Sequence, residues 1–181
     1  DYKKSIRKKN LNTHILYHGS LHLAKGINFF IDLAFNLTKY KFIIPDSRTN
    51  VENIYGSKIE ISNLHYMPCK WESGLRELVE GAILVVNPSL WSAPIEGALL
   101  KSIVFNGNVA TVRSRYGFEE ELKNYNSILR LSNVPRKAAI QMEKYLSNDT
   151  IQDDDIHNKL LGFLKELNSN DICNYVGDFQ R

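Results

Sequence analysis

Apolar and polar positions along this chain switch repeatedly between a short-run pattern and a helical one, and the switches mark out alternating strands and helices. His14 to Tyr17 is a short β-rich run closed by His18-Gly19-Ser20. From Gly26 to Thr38 the residues Ile27, Phe30, Ile31, Ala34, Phe35 and Leu37 recur at helical spacing. Tyr40 to Ile44 reads as a second strand ended by Pro45-Asp46-Ser47, and a short helix is expected near Val51–Tyr55. Asn63 to Met67 reads as a third strand closed by Pro68. Glu72 to Glu80 reads as a helix with Leu75, Leu78 and Val79 on one face. Ala82 to Val86 is apolar on both faces, as in a parallel sheet covered by helices. A helix is expected from Pro94 to about Lys101. Ile103-Val104-Phe105 then reads as a strand and Asn106-Gly107 as a hairpin signal. Val109 to Val112 is either the hairpin partner or an extended loop. Phe118 to Tyr125 is predicted helical, Ser127 to Leu131 a strand, and Pro135 to Leu146 a helix. After the acidic break Asn148–Asp155, Ile156 to Leu167 is a last amphipathic helix.

This order predicts a single α/β, Rossmann-like domain: an open, mostly parallel sheet flanked by helices on both faces. The expected divisions are a basic linker over 1–11, the domain over 12–147, and a helical tail over 148–181. Ligands of such sheets bind outside the carboxyl ends of the strands. The turns to inspect are therefore 18–26, 45–48, 67–72, 87–96 and 106–117.

Composition narrows the function classes. At 181 residues with 43% hydrophobic residues, the chain matches an ordinary globular domain. A net charge of +3 gives no case for nucleic acid, and the run Lys3, Lys4, Arg7, Lys8, Lys9 reads as a solvated linker. Cys69 and Cys173 lie far apart and lack metal-ligand spacing, so they read as reduced thiols of a cytoplasmic protein. No apolar run approaches membrane-spanning length and no signal peptide is visible. A chain that opens at Asp1 reads as a piece of something larger.

The turns carry the candidate chemistry. The first, His18 to Gly26, has neither dinucleotide nor P-loop spacing. It offers a glycine after a strand and Lys25 at a helix start, where a lysine either meets a phosphate as a point charge or sits in solvent. The fourth offers Pro94, suited to a first helical turn, and Glu96, placed one turn in on the cleft side. Free N–H groups and the helix dipole at such an end favour phosphate. Glu96 has two readings: a ligand for neighbouring ribose hydroxyls, or an acid placed by the dipole. His14, His18, His22 and His65 lack the full ligand set and geometry of a zinc site. Trp71 and Trp91 either stack on a base or serve as packing. Ser89 and Ser92 lack the frame of a hydrolase nucleophile.

Taken together, residues 12 to 147 resemble the carboxy-terminal, donor-nucleotide half of the GT-B glycosyltransferases, in particular glycosyltransferase family 4. Tyr17-His18-Gly19-Ser20-Leu21 with Lys25-Gly26 is similar to the family's first strand, its G-R-L turn and the following K-G. Asn63 to Met67 is similar to the strand before the base-binding loop, and Glu72–Glu80 with Ala82–Ser89 to the helix and strand leading to a P-S loop. Glu96-Gly97-Ala98 is similar to the second glutamate of the E-x7-E signature, a register supported by the spacing to Ile103–Phe105.

The resemblance implies a transferase that moves a sugar from a nucleoside-diphosphate sugar to a glycan or lipid-linked acceptor. Lys25, Gly19, Ser20, Ser92 and Pro94 would hold the diphosphate, Glu96 the ribose, and the backbone near Met67 and Pro68 the base. The nucleotide-sugar is a substrate, and no metal or other cofactor is required. The acceptor would bind an amino-terminal lobe this chain lacks, and the whole enzyme would work in the cytoplasm, peripherally at the inner face of the membrane. The family's first-turn arginine is Ser20 here, its first signature glutamate is replaced by Pro88, and the loop from Ser89 to Glu96 is shortened. Arg113 or Arg115 would supply the missing positive charge. The alternative is a non-catalytic GT-B-like module that binds a sugar or a protein.

Overall fold

The computed structural model describes residues 14–90, 96–114, 128–147 and Gly162. The predicted helices at 118–125 and 156–167 lie outside them, as do Trp91, Ser92, Pro94 and Arg115, apart from Gly162 within the second helix.

Six strands form one parallel sheet: β1 (His14–Tyr17), β2 (Lys41–Ile44), β3 (Leu64–Tyr66), β4 (Ala82–Asn87), β5 (Val109–Val112) and β6 (Ile128–Leu131). Their order is β3-β2-β1-β4-β5-β6. The helices are α1 (Ile27–Asn36), α2 (Arg48–Tyr55), α3 (Leu75–Glu80), α4 (Gly97–Phe105) and α5 (Pro135–Leu146). The central strands read as apolar runs because helices cover both faces. On one face Ile15, Tyr17, Phe42, Ile44, Leu84 and Val86 meet Phe30, Ile31 and Leu33 of α1 and Ala138 and Met142 of α5. On the other, Leu16, Ile43 and Val85 meet Val79, Leu75 and Leu78 of α3 and Phe105 of α4. The predicted α/β class and open sheet are thus present.

Four local expectations are corrected. Ile103-Val104-Phe105 is the end of α4 and not a strand. Asn106-Gly107 closes that helix and makes no hairpin. Asn106 is buried, its Nδ2 donates to Val79 O at 2.6 Å and Ala82 O at 2.8 Å, and its Oδ1 accepts from Asn108 N at 2.9 Å. Gly107 has a φ of 84°, the left-handed conformation common just beyond a helix end. Val109–Val112 pairs in parallel with both β4 and β6, so it is neither hairpin partner nor loop. The helix expected over Glu72–Glu80 is broken at Gly74, where φ is 112°, into a 3-10 turn, Trp71–Ser73, and α3.

The strand order sets the site. From β1 the chain steps outward through β2 and β3, then returns to place β4 on the other side of β1. The turns after β1 and β4 therefore leave the sheet side by side and in opposite directions, which opens a crevice at the carboxyl ends of those two strands.

Candidate functional site

Tyr17 pairs in register with Val86, so both strands deliver their turns to the same point on the sheet rim. The turns are then tied together. His18 N donates to Val86 O at 3.1 Å, and Asn87 Nδ2 donates to His18 O at 2.5 Å. Further out, Leu90 N donates to Ala24 O at 2.9 Å. At Gly26 the contact is closest. A Cβ there would lie 2.1 Å from the carbonyl oxygen of Pro88, and φ is 74°. Only glycine satisfies both the left-handed backbone and the contact.

The Tyr17 side chain supports this turn from below. It is fully buried against Phe30, and its hydroxyl lies 2.8 Å from Ser20 O and 3.2 Å from Lys25 O, donating to the carbonyls of the turn. Burial, with the nearby Glu96 carboxylate adding to it, raises the phenol well above its ordinary pKa and keeps it a neutral donor.

Above the support, Lys25 and Glu96 meet. Lys25 ends the 3-10 turn Leu23–Lys25 after β1, and Glu96 is the N-cap residue of α4 after β4. Their side chains form an ion pair, 19% and 13% exposed. Ser89 Oγ donates to the same carboxylate oxygen, Oε1, at 2.9 Å. Glu96 was expected one turn inside a helix running from Pro94. Instead α4 begins at Gly97, and the Glu96 backbone is extended, with a φ of −102° and a ψ of 92°. Its side chain makes no capping bond to its own helix. The dipole reading of Glu96 would place the carboxylate on the helix amides; it is turned across the crevice to Lys25.

The remaining candidates take different places. Gly19 is half-buried over the Tyr17 ring and Ser20 is exposed at the rim. Met67 and Pro68 are exposed after β3, with β2 between their strand and β1. Arg113 follows β5, with its backbone N–H bonded to Leu131 O and its side chain exposed. Trp71 is a packing residue. Its ring stacks on His18 at 5.9 Å, meets Phe105 edge-on at 5.2 Å, and carries the Lys101 ammonium 4.4 Å from its centroid.

The histidines are dispersed. His14 Nε2 donates to Leu78 O at 3.0 Å, His22 Nδ1 accepts from Ala24 N at 3.1 Å, and His65 is exposed on β3. His18 Nδ1 donates to Ser102 Oγ at 2.8 Å, because the serine hydroxyl itself donates to Ala98 O. Burial, with Lys101 adding to it, lowers the His18 pKa to about 4, so the ring is neutral at pH 7. Among the described residues no group of three or more His, Cys, Asp or Glu is arranged to hold a metal ion. Among them, too, no helix is long and apolar enough to cross a membrane.

Three contributors carried little sequence signal. Ser89 figures in the sequence as a serine without a hydrolase frame and as the end of the P-S loop resemblance, and Tyr17 only as a strand residue. Asn87 was detectable as a polar residue ending an otherwise apolar strand.

No protein-family model matches the sequence, and no curated protein matches it significantly. Solved structures do match. HepE from Anabaena, solved with UDP and glucose, superposes with a TM-score of 0.61 at 14% identity, over 87% of this chain and 49% of that one. The UDP-forming trehalose-phosphate synthase of Burkholderia xenovorans gives 0.65 at 14% identity, over 94% and 44%. A glycosyltransferase from Rickettsia africae gives 0.60 at 12% identity, over 88% and 48%. The chain has the fold of a GT-B glycosyltransferase domain. It spans about half the length of the proteins it matches. At these identities it is the GT-B fold that is shared; in open parallel sheets generally, ligands bind in the crevice at the carboxyl ends of the strands.

Proposed function

We propose that this chain is the donor-binding, carboxy-terminal half of a glycosyltransferase resembling family 4, and that it holds a nucleoside-diphosphate sugar in the β1–β4 crevice. The observation that carries this reading is the meeting of Lys25 and Glu96, 71 residues apart in sequence, over a turn propped by Tyr17. A lysine and a carboxylate side by side match the two unlike parts of a nucleotide: an anionic diphosphate and a ribose with neighbouring hydroxyl donors. The matched HepE structure contains UDP and glucose, and the matched synthase is UDP-forming, which makes the uridine nucleotide the first to test.

In this reading Lys25, with Gly19, Ser20, Ser92 and Pro94, takes the diphosphate. Glu96 accepts hydrogen bonds from the ribose, and Met67 and Pro68 face the base. Catalysis is positioning and stabilisation of the departing diphosphate's charge, which Lys25 supplies without need of a metal. The acceptor, a glycan or lipid-linked sugar, binds a second lobe, and the whole enzyme works in the cytoplasm at the membrane's inner face.

The test is calorimetric titration with uridine and guanosine diphosphates. One of them should bind, and Glu96→Gln should weaken it about tenfold, since two charge-assisted bonds are replaced by weaker ones. The melting temperature should barely move, because a partly exposed ion pair contributes little to stability. Equal affinity for the variant removes Glu96 from the site.

One observation favours a second reading, a non-catalytic GT-B module. Pro88, where the family keeps its first glutamate, is buried with its carbonyl against Gly26, so that position serves packing. No response to either nucleotide would select this reading.

A further inference from the structure

Of the turns that meet at the proposed site, the one after β3 has the furthest to come. β2 lies between β3 and β1, so the chain leaving β3 starts two strand spacings, roughly 10 Å, from the end of β1. It covers that distance in a few residues. Met67 N donates to Ile44 O at 2.9 Å, which ties the exit of β3 to β2. A few residues on, the Trp71 ring stacks on His18, just beyond β1, with centroids 5.9 Å apart and planes at 10°. The same ring meets Phe105 of α4 edge-on at 5.2 Å, and the Lys101 ammonium of α4 lies 4.4 Å from its centroid.

The hydrogen bonds within this connection fix its shape rather than its place. Ser73 N and Leu75 N donate to Lys70 O at 2.9 and 3.0 Å, and Lys70 N donates to Ser73 Oγ at 3.1 Å. They tie the turn to itself and to the start of α3. Trp71 ties it to β1 and α4. Its stacking partner is firmly held: His18 N donates to Val86 O, His18 O accepts from Asn87 Nδ2, and the imidazole is bonded to Ser102. The indole is therefore seated on the residue that joins the β1 and β4 turns.

We infer that Trp71 is a positioning residue for base selection. By pinning the β3–α3 connection to His18 and α4, it fixes how far Met67 and Pro68 stand from Lys25 and Glu96, and so whether a base of one ring or two fits between them. The indole is engaged by three protein neighbours, so it holds the turn and is not itself the platform for the base. This rests on the reading of the crevice as a nucleotide site and adds the residue that sets its preference among nucleotides.

The experiment reads a ratio. Uridine and guanosine diphosphates carry the same charge, so the ratio of their affinities is insensitive to a general change in phosphate attraction. Both are titrated by calorimetry into the wild type, Trp71→Ala, Trp71→Phe and Lys101→Met. The wild type should prefer one nucleotide by about tenfold or more, and Trp71→Ala should bring the ratio to within about twofold of one, since it gives up two ring contacts and a cation–π contact. Trp71→Phe keeps a ring for His18 to stack on and should retain most of the ratio. Lys101→Met changes an exposed position and should keep the wild-type melting curve while lowering the ratio about two- to threefold. It decides the question if Trp71→Ala does not fold. If the wild type binds both nucleotides equally, or if the variants weaken both by a common factor, Trp71 does not position the base and the nucleotide site stands. If neither nucleotide binds the wild type, the site reading falls and the role of Trp71 with it.

Discussion

Gly26→Ala perturbs a close approach of the β1 turn's backbone to that of the β4 loop. The added methyl would lie 2.1 Å from Pro88 O and 2.9 Å from Pro88 C and Cβ. Carbon contacts are optimal near about 3.5–4.0 Å, so the loops must separate by roughly an ångström or more. The obstructing atoms are backbone, and the Leu90–Ala24 and Asn87–His18 bonds resist the separation. Overpacking of this kind costs about 1–3 kcal/mol, and the left-handed backbone at a φ of 74° costs an L-residue a further ~1–2 kcal/mol. A loss of about 3 kcal/mol should lower the melting temperature by about 6–12 °C in a domain of this size. Thermal and urea denaturation followed by circular dichroism would measure it. Gly56→Ala is the control, since its φ of 88° carries the same strain but nothing lies within 4 Å of the added methyl. It should lose only about 1 kcal/mol. If the two variants melt together, the contact between Gly26 and Pro88 contributes nothing and its part in tying the two turns together is wrong.

Three further outcomes are expected. Asn106→Ala removes a donor from two carbonyls and an acceptor from one amide, all enclosed where α4 meets the α3–β4 connection, and should cost about 2–3 kcal/mol in urea denaturation. His18 has a folded pKa of about 4 against an ordinary 6.5, so the unfolded chain binds the proton more tightly. Its stabilising contribution is complete above about pH 6.5 and is lost as pH falls toward 4, on the order of 2–3 kcal/mol in all. Denaturation midpoints measured across that window should slope downward with acid, and His18→Gln should flatten the slope. Glu96→Gln, finally, should show its effect in nucleotide affinity and not in melting temperature, as titration and a melting curve on the same sample would reveal.

The regular elements were legible where period and length agreed. β1, β2 and β4 are short apolar runs, and α1 and α5 carry long helical spacing, so each allowed one reading. The failure lay at 103–107. A three-residue apolar run such as Ile103-Val104-Phe105 has no period, and its β-branched residues favour a strand until α3 and β4 are there to pack against. Asn-Gly misled for a related reason. A glycine in the left-handed region serves a hairpin and a helix end equally well, and only the buried partners of Asn106 choose between them.

The candidate site divides along the same line. The order of strand and helix signals was enough to specify a covered, parallel sheet with ligand turns at its carboxyl ends, because periodicity and burial are local properties of the chain. Lys25 and Glu96 stood out as residue types in such turns, each with a second reading open. What joined them was the strand order: β4 returns beside β1, and two residues distant in sequence share one crevice. The Gly26–Pro88 contact belongs to that tertiary layer as well. It is a distance between segments that no local pattern encodes, since it is set by how the sheet brings separate turns together.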